Sequence, residues 1–128
     1  MTSTFFILLA SLLLPLFWDP VKSVLGGDCR PNEIEIFQTP TGYTGGHVPK
    51  YTVQIINMAA KVSSVHDIHV ACGEFASTIQ IDPKVFLRVQ HNDCLVKDGM
   101  EMHAGEVISF DYANILPYKL VPSQVKCL

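Results

Sequence analysis

Four cysteines, five histidines and a scatter of acids are the residues of this 128-residue chain that can do chemistry. Cys29, Cys72, Cys94 and Cys127 form an even set, which in a small exported chain reads as two disulfides. Four cysteines allow three pairings, and the favoured one is Cys72–Cys94 with Cys29–Cys127. The first bridge closes a loop of 22 residues, worth about 3 kcal/mol in loop-closure entropy, and the second ties the ends of the domain together. Zinc is the competing use of cysteine, but structural sites want two cysteines two to four residues apart, and no such pair occurs. No metal and no cofactor are expected.

The other candidates for chemistry resolve into surface polarity. His66 and His69 are three apart, and on a regular strand they point to opposite faces and cannot clasp one ion. His47, His91 and His103 fall in or beside predicted loops. No Gly-x-Ser-x-Gly elbow is present. Glu33 and Glu35 share the solvent face of a strand, and Asp98 before Gly99 is explained by turn formation. Arg88 and Asp93 can pair, although an exposed pair contributes little. Gly42, Gly45 and Gly46 are not followed by a helix, so they cradle no phosphate. The chain reads as a recognition module and not as an enzyme. The net charge of −3 and the lack of a basic stripe argue against nucleic acid as a partner. Phe75, Phe86, Phe110 and Tyr112 are assigned to the core. Tyr43, in a Gly/Pro-rich loop, is the aromatic best placed for contact.

The elements that must hold these residues are strands. Phe5 to Trp18 is an apolar run of 14 residues, reaching about 21 Å as a helix and too short to span a bilayer. It suits the h-region of a signal peptide. Cleavage is expected after Ser23, with Gly26 as the alternative, so residues 1–23 are leader and 24–128 a single domain. The mature protein is expected outside the cell. Residues 33–38 alternate, with Ile34 and Ile36 on one face. Residues 39–49 read as a loop because of two prolines and three glycines. Tyr51, Val53 and Ile55 mark a half-buried strand. Met58 to Val65 is a turn or an irregular crossing. Ile68, Val70 and Cys72 point inward, with Asp67 and His69 outward. Residues 75–81 read as a strand, 85–89 as a strand or helical turn, and Asp98-Gly99 as a hairpin turn. Ile108, Phe110 and Tyr112 face one way in the next strand. A last strand spans 118–125, with Pro122 suggesting an edge. Seven or eight short strands imply an all-β fold, a small antiparallel β-sandwich stapled by disulfides.

Several short motifs are distinctive. They are Cys72-Gly73, Asp93-Cys94-Leu95-Val96 with Asp98-Gly99, and Phe110-Asp111-Tyr112-Ala113-Asn114, with Phe75, Ser77, Pro83, Phe86, Arg88, Gly105, Tyr118 and Cys127 between and around them. Upstream, Cys29, Ile34, Ile36, Gln38, Pro49-Lys50-Tyr51 and Asn57 also fit. In these residues the chain resembles the plant tapetum determinant family over nearly all of its mature part. The resemblance implies a secreted plant protein of the apoplast without catalytic residues. It implies a ligand for a leucine-rich repeat receptor kinase ectodomain, acting in cell-fate signalling. Members typically carry two further cysteines, near Ala59 and Ser63 here, and an aromatic where this chain has Glu74. Tyr43, His69 and Glu74 are the candidate receptor contacts, chosen because all three are expected to be exposed. The rival reading is a carbohydrate-binding module of the cell wall, which requires a row of exposed aromatics such as Tyr43, Tyr51 and Tyr118 on one sheet face.

Overall fold

The computed structural model describes residues 29–59 and 64–128. The leader and both cleavage positions lie outside the described residues, as does part of the 58–65 crossing. The fold is all-β, as its alternating segments require. A single 3-10 turn, Pro31–Glu33, precedes β1 (Ile34–Tyr43), β2 (Pro49–Asn57) and β3 (Ser64–Ala71). After an irregular stretch come β4 (Phe86–Gln90), β5 (Asp93–Val96), a second 3-10 turn (Lys97–Gly99), β6 (Met102–His103), β7 (Val107–Ala113) and β8 (Val121–Cys127). One sheet has the order β1-β2-β7; the other runs β4-β5-β3, with β5 and β6 along one side of β3 and β8 along its other side. All pairs are antiparallel. The disulfides are Cys29–Cys127, which ties the start of the domain to the end of β8, and Cys72–Cys94, which joins the segment after β3 to β5.

Alternation predicts the inner face because every second side chain of a strand faces the same way. Val53 and Ile55 of β2 and Phe110 and Tyr112 of β7 are buried against Val65, Ile68 and Val70 of β3, Phe86 of β4 and Val96 of β5. Phe75 is the hub: its ring lies 5.1 Å from each of Phe86, Tyr112 and Tyr118. Such aromatic pairs contribute about 0.5–1.5 kcal/mol each beyond the apolar area they bury.

Four local expectations are corrected. Residues 39–43 are not loop but the second half of β1, and only the turn after Tyr43 is irregular. Pro40 is tolerated because β1 is an edge strand, where its missing N–H faces away from the ladder. A bulge between Pro40 and Gly42, the latter at φ 122°, absorbs the glycine. Residues 75–81 form no strand; Ser77 Oγ takes the N–H groups of Ile79 and Ala113, so backbone donors go to a side chain and not to a ladder. The Asp98-Gly99 turn joins no hairpin: β5 and β6 pair with β3 and not with each other. Lys97, Asp98 and Gly99 are all left-handed, and a side chain at Gly99 would meet Asp67 Oδ1 at 2.9 Å. Last, His66 and His69 share a face. Asp67, at φ 48°, is an extra residue in β3, so three positions there advance only two on β8.

At the end of the sandwich that holds the second 3-10 turn, Lys97 Nζ donates to Glu106 Oε2 at 2.6 Å and His103 N donates to Glu106 Oε1 at 3.0 Å. Burial raises the Glu106 pKa, but the Lys97 hydrogen bond, the His103 N–H and the nearby positive charge more than offset it, leaving the carboxyl below its ordinary value of 4.5. A depressed folded-state pKa stabilises above the unfolded value and loses that contribution as pH falls through the folded one. Glu106→Gln should therefore cost about 1 kcal/mol near neutrality, with the gap to wild type closing as pH drops below about 4.5. Denaturant titrations at several pH values read this directly.

Candidate functional site

Loops from both sheets converge at one end of the sandwich. Asn114, just past β7, donates its N–H to Pro49 O at the start of β2 (3.1 Å), and Pro49 pairs with Tyr43 at the end of β1. Thr78 N donates to Ala113 O (2.9 Å), and Asn114 Nδ2 reaches Ala76 O (3.4 Å), which brings in the 72–82 segment. Gly73 in turn exchanges bonds with Asn92 of the β4–β5 hairpin: Asn92 N to Gly73 O at 2.7 Å and Gly73 N to Asn92 Oδ1 at 2.9 Å. Four connections thus form one surface. Tyr43 and Glu74 both sit on it and both are exposed, Tyr43 to 70%.

The side chains that stand out most at this end are two others. Ile115 and Leu116 are 76% and 72% exposed, on the short connection between Asn114 and Tyr118. They are not frayed ends, because a hydrogen-bond knot holds the connection. Tyr112 OH donates to Gln38 Oε1 (2.5 Å) and accepts from Tyr118 N (3.0 Å), while Gln38 Nε2 donates to Tyr118 O (2.7 Å). Asn114 Nδ2 also donates to Tyr118 OH, and Asn114 Oδ1 accepts from Ile115 N at 2.7 Å. Burial raises the Tyr112 pKa; the Tyr118 N–H pulls the other way, and the Tyr51 and Tyr118 rings add to the rise. The hydroxyl therefore stays protonated and remains a donor. The braced connection thus holds two large apolar side chains out in water.

His69 departs from expectation. It is half-buried, not exposed, with Nδ1 2.6 Å from Asp93 Oδ1, while Gln90 Nε2 holds Asp93 Oδ2 at 3.3 Å. It lies on the outer face of the second sheet, and side-chain and backbone bonds through Asp93, Asn92 and Gly73 link it to the Glu74 loop. His66 faces the same way but pairs with Asp67, Nδ1 to Oδ2 at 3.2 Å. Among the described residues no group of three or more ligands is placed to hold a metal ion. Tyr51 and Tyr118 do not join Tyr43 in a row. Both turn inward, their rings 5.3 Å and 5.9 Å from that of Tyr112. Sequence reasoning reached Tyr43 through loop composition and missed Ile115 and Leu116. The available signal was two aliphatic residues between the end of an alternating run and Pro117, where no strand can bury them.

Comparison with known proteins places the chain among relatives. The family described as Tapetum determinant 1, C-terminal, matches residues 30–128. TPD1 protein homolog 1 of Arabidopsis thaliana is 40% identical over 103 residues, covering 80% of this chain and 58% of the relative. In Oryza sativa subsp. japonica, TPD1 protein homolog 1B is 37% identical over 99 residues (77% and 58%). Homolog 1A of the same species is 40% identical over 113 residues (84% and 50%). The chain thus spans between half and three-fifths of the length of these curated relatives. No solved structure matches it.

The knot makes a prediction of its own. Tyr112→Phe keeps the ring packing but leaves Gln38 Oε1 and the Tyr118 N–H without their partner. The loss should be about 1–3 kcal/mol. Amide exchange at residues 115–120 should accelerate before that of β2, and exchange mass spectrometry resolves the two regions.

Proposed function

We propose that this chain, which belongs to the tapetum determinant 1 family, is a secreted protein ligand that binds the ectodomain of a leucine-rich repeat receptor kinase in developmental signalling. The observation that carries this reading is the braced loop end, where the Tyr112 knot holds Ile115 and Leu116 out in water and Tyr43 stands exposed at the end of β1. Exposed aromatic and aliphatic side chains on a rigid frame lose little conformational freedom on binding, which is how a small surface yields useful affinity. Glu74 adds a negative charge to the same end and would set orientation and encounter rate more than affinity. His69 lies to one side, where the Asp93 bond fixes its ring as part of a contact rim. The protein acts by contact alone, without catalysis and without a cofactor. Secretion through the leader into the apoplast puts it where receptor ectodomains are. The whole relatives are longer, so what their additional segments contribute is separate from what this domain does.

The test is capture of the purified protein on a panel of plant receptor ectodomains, with insoluble wall glucans in parallel. Saturable binding to a leucine-rich repeat ectodomain is expected. Tyr43→Ala and Leu116→Asp should each weaken it at least fivefold without shifting the unfolding midpoint, since both side chains are exposed. Binding to glucan alone would sink the proposal.

A further inference from the structure

The first sheet has an open edge at β1, and its hydrogen-bond phase says which backbone groups are free. Met58 N donates to Glu33 O, whereas Asn57 N donates to Glu106 O on the far side of β2. Even-numbered residues of β2 thus bond toward β1 and odd-numbered ones toward β7. With Glu35 opposite Ile56, Phe37 opposite Gln54 and Thr39 opposite Thr52, these three residues of β1 spend their N–H and C=O on β2. Ile34, Ile36, Gln38 and Pro40 direct theirs outward. Two of these are closed to pairing: the Ile34 N–H is taken by Pro31 O, and Pro40 has none. The open stretch is Ile36 to Gln38. No hydrogen bond from another described residue reaches the backbone of either. At its centre, on the outer face of the sheet, Phe37 is 50% exposed.

We infer that this edge pairs with the same edge of a second copy, antiparallel, about a two-fold axis at Phe37. The groups on the page select that register. Ile36 then exchanges N–H···O=C bonds with Gln38 of the second copy, and Gln38 with its Ile36, so every free donor is used. Pro40 falls opposite Ile34, and neither has a donor to leave unmet. Shifting the axis to Gln38 sets Pro40 against Ile36 and wastes the Ile36 acceptor; shifting it to Ile36 sets the capped Ile34 against Gln38. On the outer face the Phe37 axis brings the two exposed rings directly opposite each other, a stabilising cross-strand pair, and places Glu35 across from Thr39 so that no like charges meet. The second copy fits better than an arbitrary peptide because the open stretch is short and its complement is its own sequence. Two sheets of three strands become one of six. The contact is small, so dimerisation should fall in the micromolar range and above.

Sedimentation of the purified protein across about 1–300 µM tests this. A concentration-dependent monomer–dimer equilibrium is expected, with the Ile36 and Gln38 amides exchanging at least tenfold more slowly in the dimer. Phe37→Lys, at an exposed site, should abolish the dimer with its circular dichroism unchanged. Phe37→Cys should cross-link to itself on mild oxidation, because directly opposite residues of a non-hydrogen-bonded pair lie about 4.5 Å apart at Cα. Val107→Cys, equally exposed on β7 at the opposite edge, should not. Three results would overturn the inference: a monomer at every concentration, a dimer that survives Phe37→Lys, or Val107→Cys cross-linking as fast as Phe37→Cys.

Discussion

A fully buried tyrosine with a hydroxyl to satisfy governs the architecture. Tyr112 has no exposed surface, and a buried hydroxyl without a partner would cost about 1–3 kcal/mol. Its solution uses β1 through Gln38 and the 114–120 connection through Tyr118. Gln38 Nε2 closes the ring by holding the Tyr118 carbonyl. One satisfied group therefore locks β1 to the end of β7 and to the connection that follows it, contacts that span 74 and 80 residues of sequence. The ring of Tyr112 meanwhile packs against Tyr51 within its own sheet and against Phe75 from the irregular segment opposite. The position of the loop end follows from that lock.

A domain of this size buries about two-thirds of its unfolded surface, which leaves a thin margin, so covalent ties matter. Cys29–Cys127 spans 98 residues and Cys72–Cys94 spans 22, loops for which closure entropy is worth about 4.7 and 3 kcal/mol. Together with family membership they point to an extracellular protein. Polar contacts add to these ties where β2 ends at Asn57. Here the fold uses a buried amide in the neighbourhood: Asn57 Nδ2 donates to Met102 O, and Asn57 Oδ1 accepts from Ala59 N. These bonds fix the chain leaving β2 by polar contacts.

The legible parts of the fold were those whose burial is one-sided. β2 alternates from Val53 to Asn57 and β7 from Val107 to Tyr112, and period-two patterning is the direct imprint of one face on the core. Phe75 was readable as core though not as strand, because an aromatic can be buried from an irregular backbone as well as from a regular one. What could not be read depends on partners distant in sequence. Pro40 is a breaker only if its N–H is needed, and it is not needed at an edge. Asp67 reverses the facing of His66 relative to His69 by a left-handed backbone that aspartate permits but does not demand. At the loop end, Tyr43 was visible from local composition. Ile115 and Leu116 were not, because aliphatic residues signal burial unless one knows that Tyr112 and Asn114 hold them away from the core.

The open edge and the loop end share β1. β1 reaches the loop end only at Tyr43, six residues past Phe37. At about 3.4 Å per residue that is roughly 20 Å along the strand. Antiparallel pairing about Phe37 turns the two copies head to tail, so the two Tyr43 side chains come to lie about 40 Å apart at opposite ends of one sheet. A paired molecule of this kind presents the same recognition surface twice, pointing in opposite directions. On the proposed function, two receptor ectodomains would then be held at a separation set by β1. Effective concentration raises the second engagement only if that spacing matches, so the length of one strand becomes a specificity element.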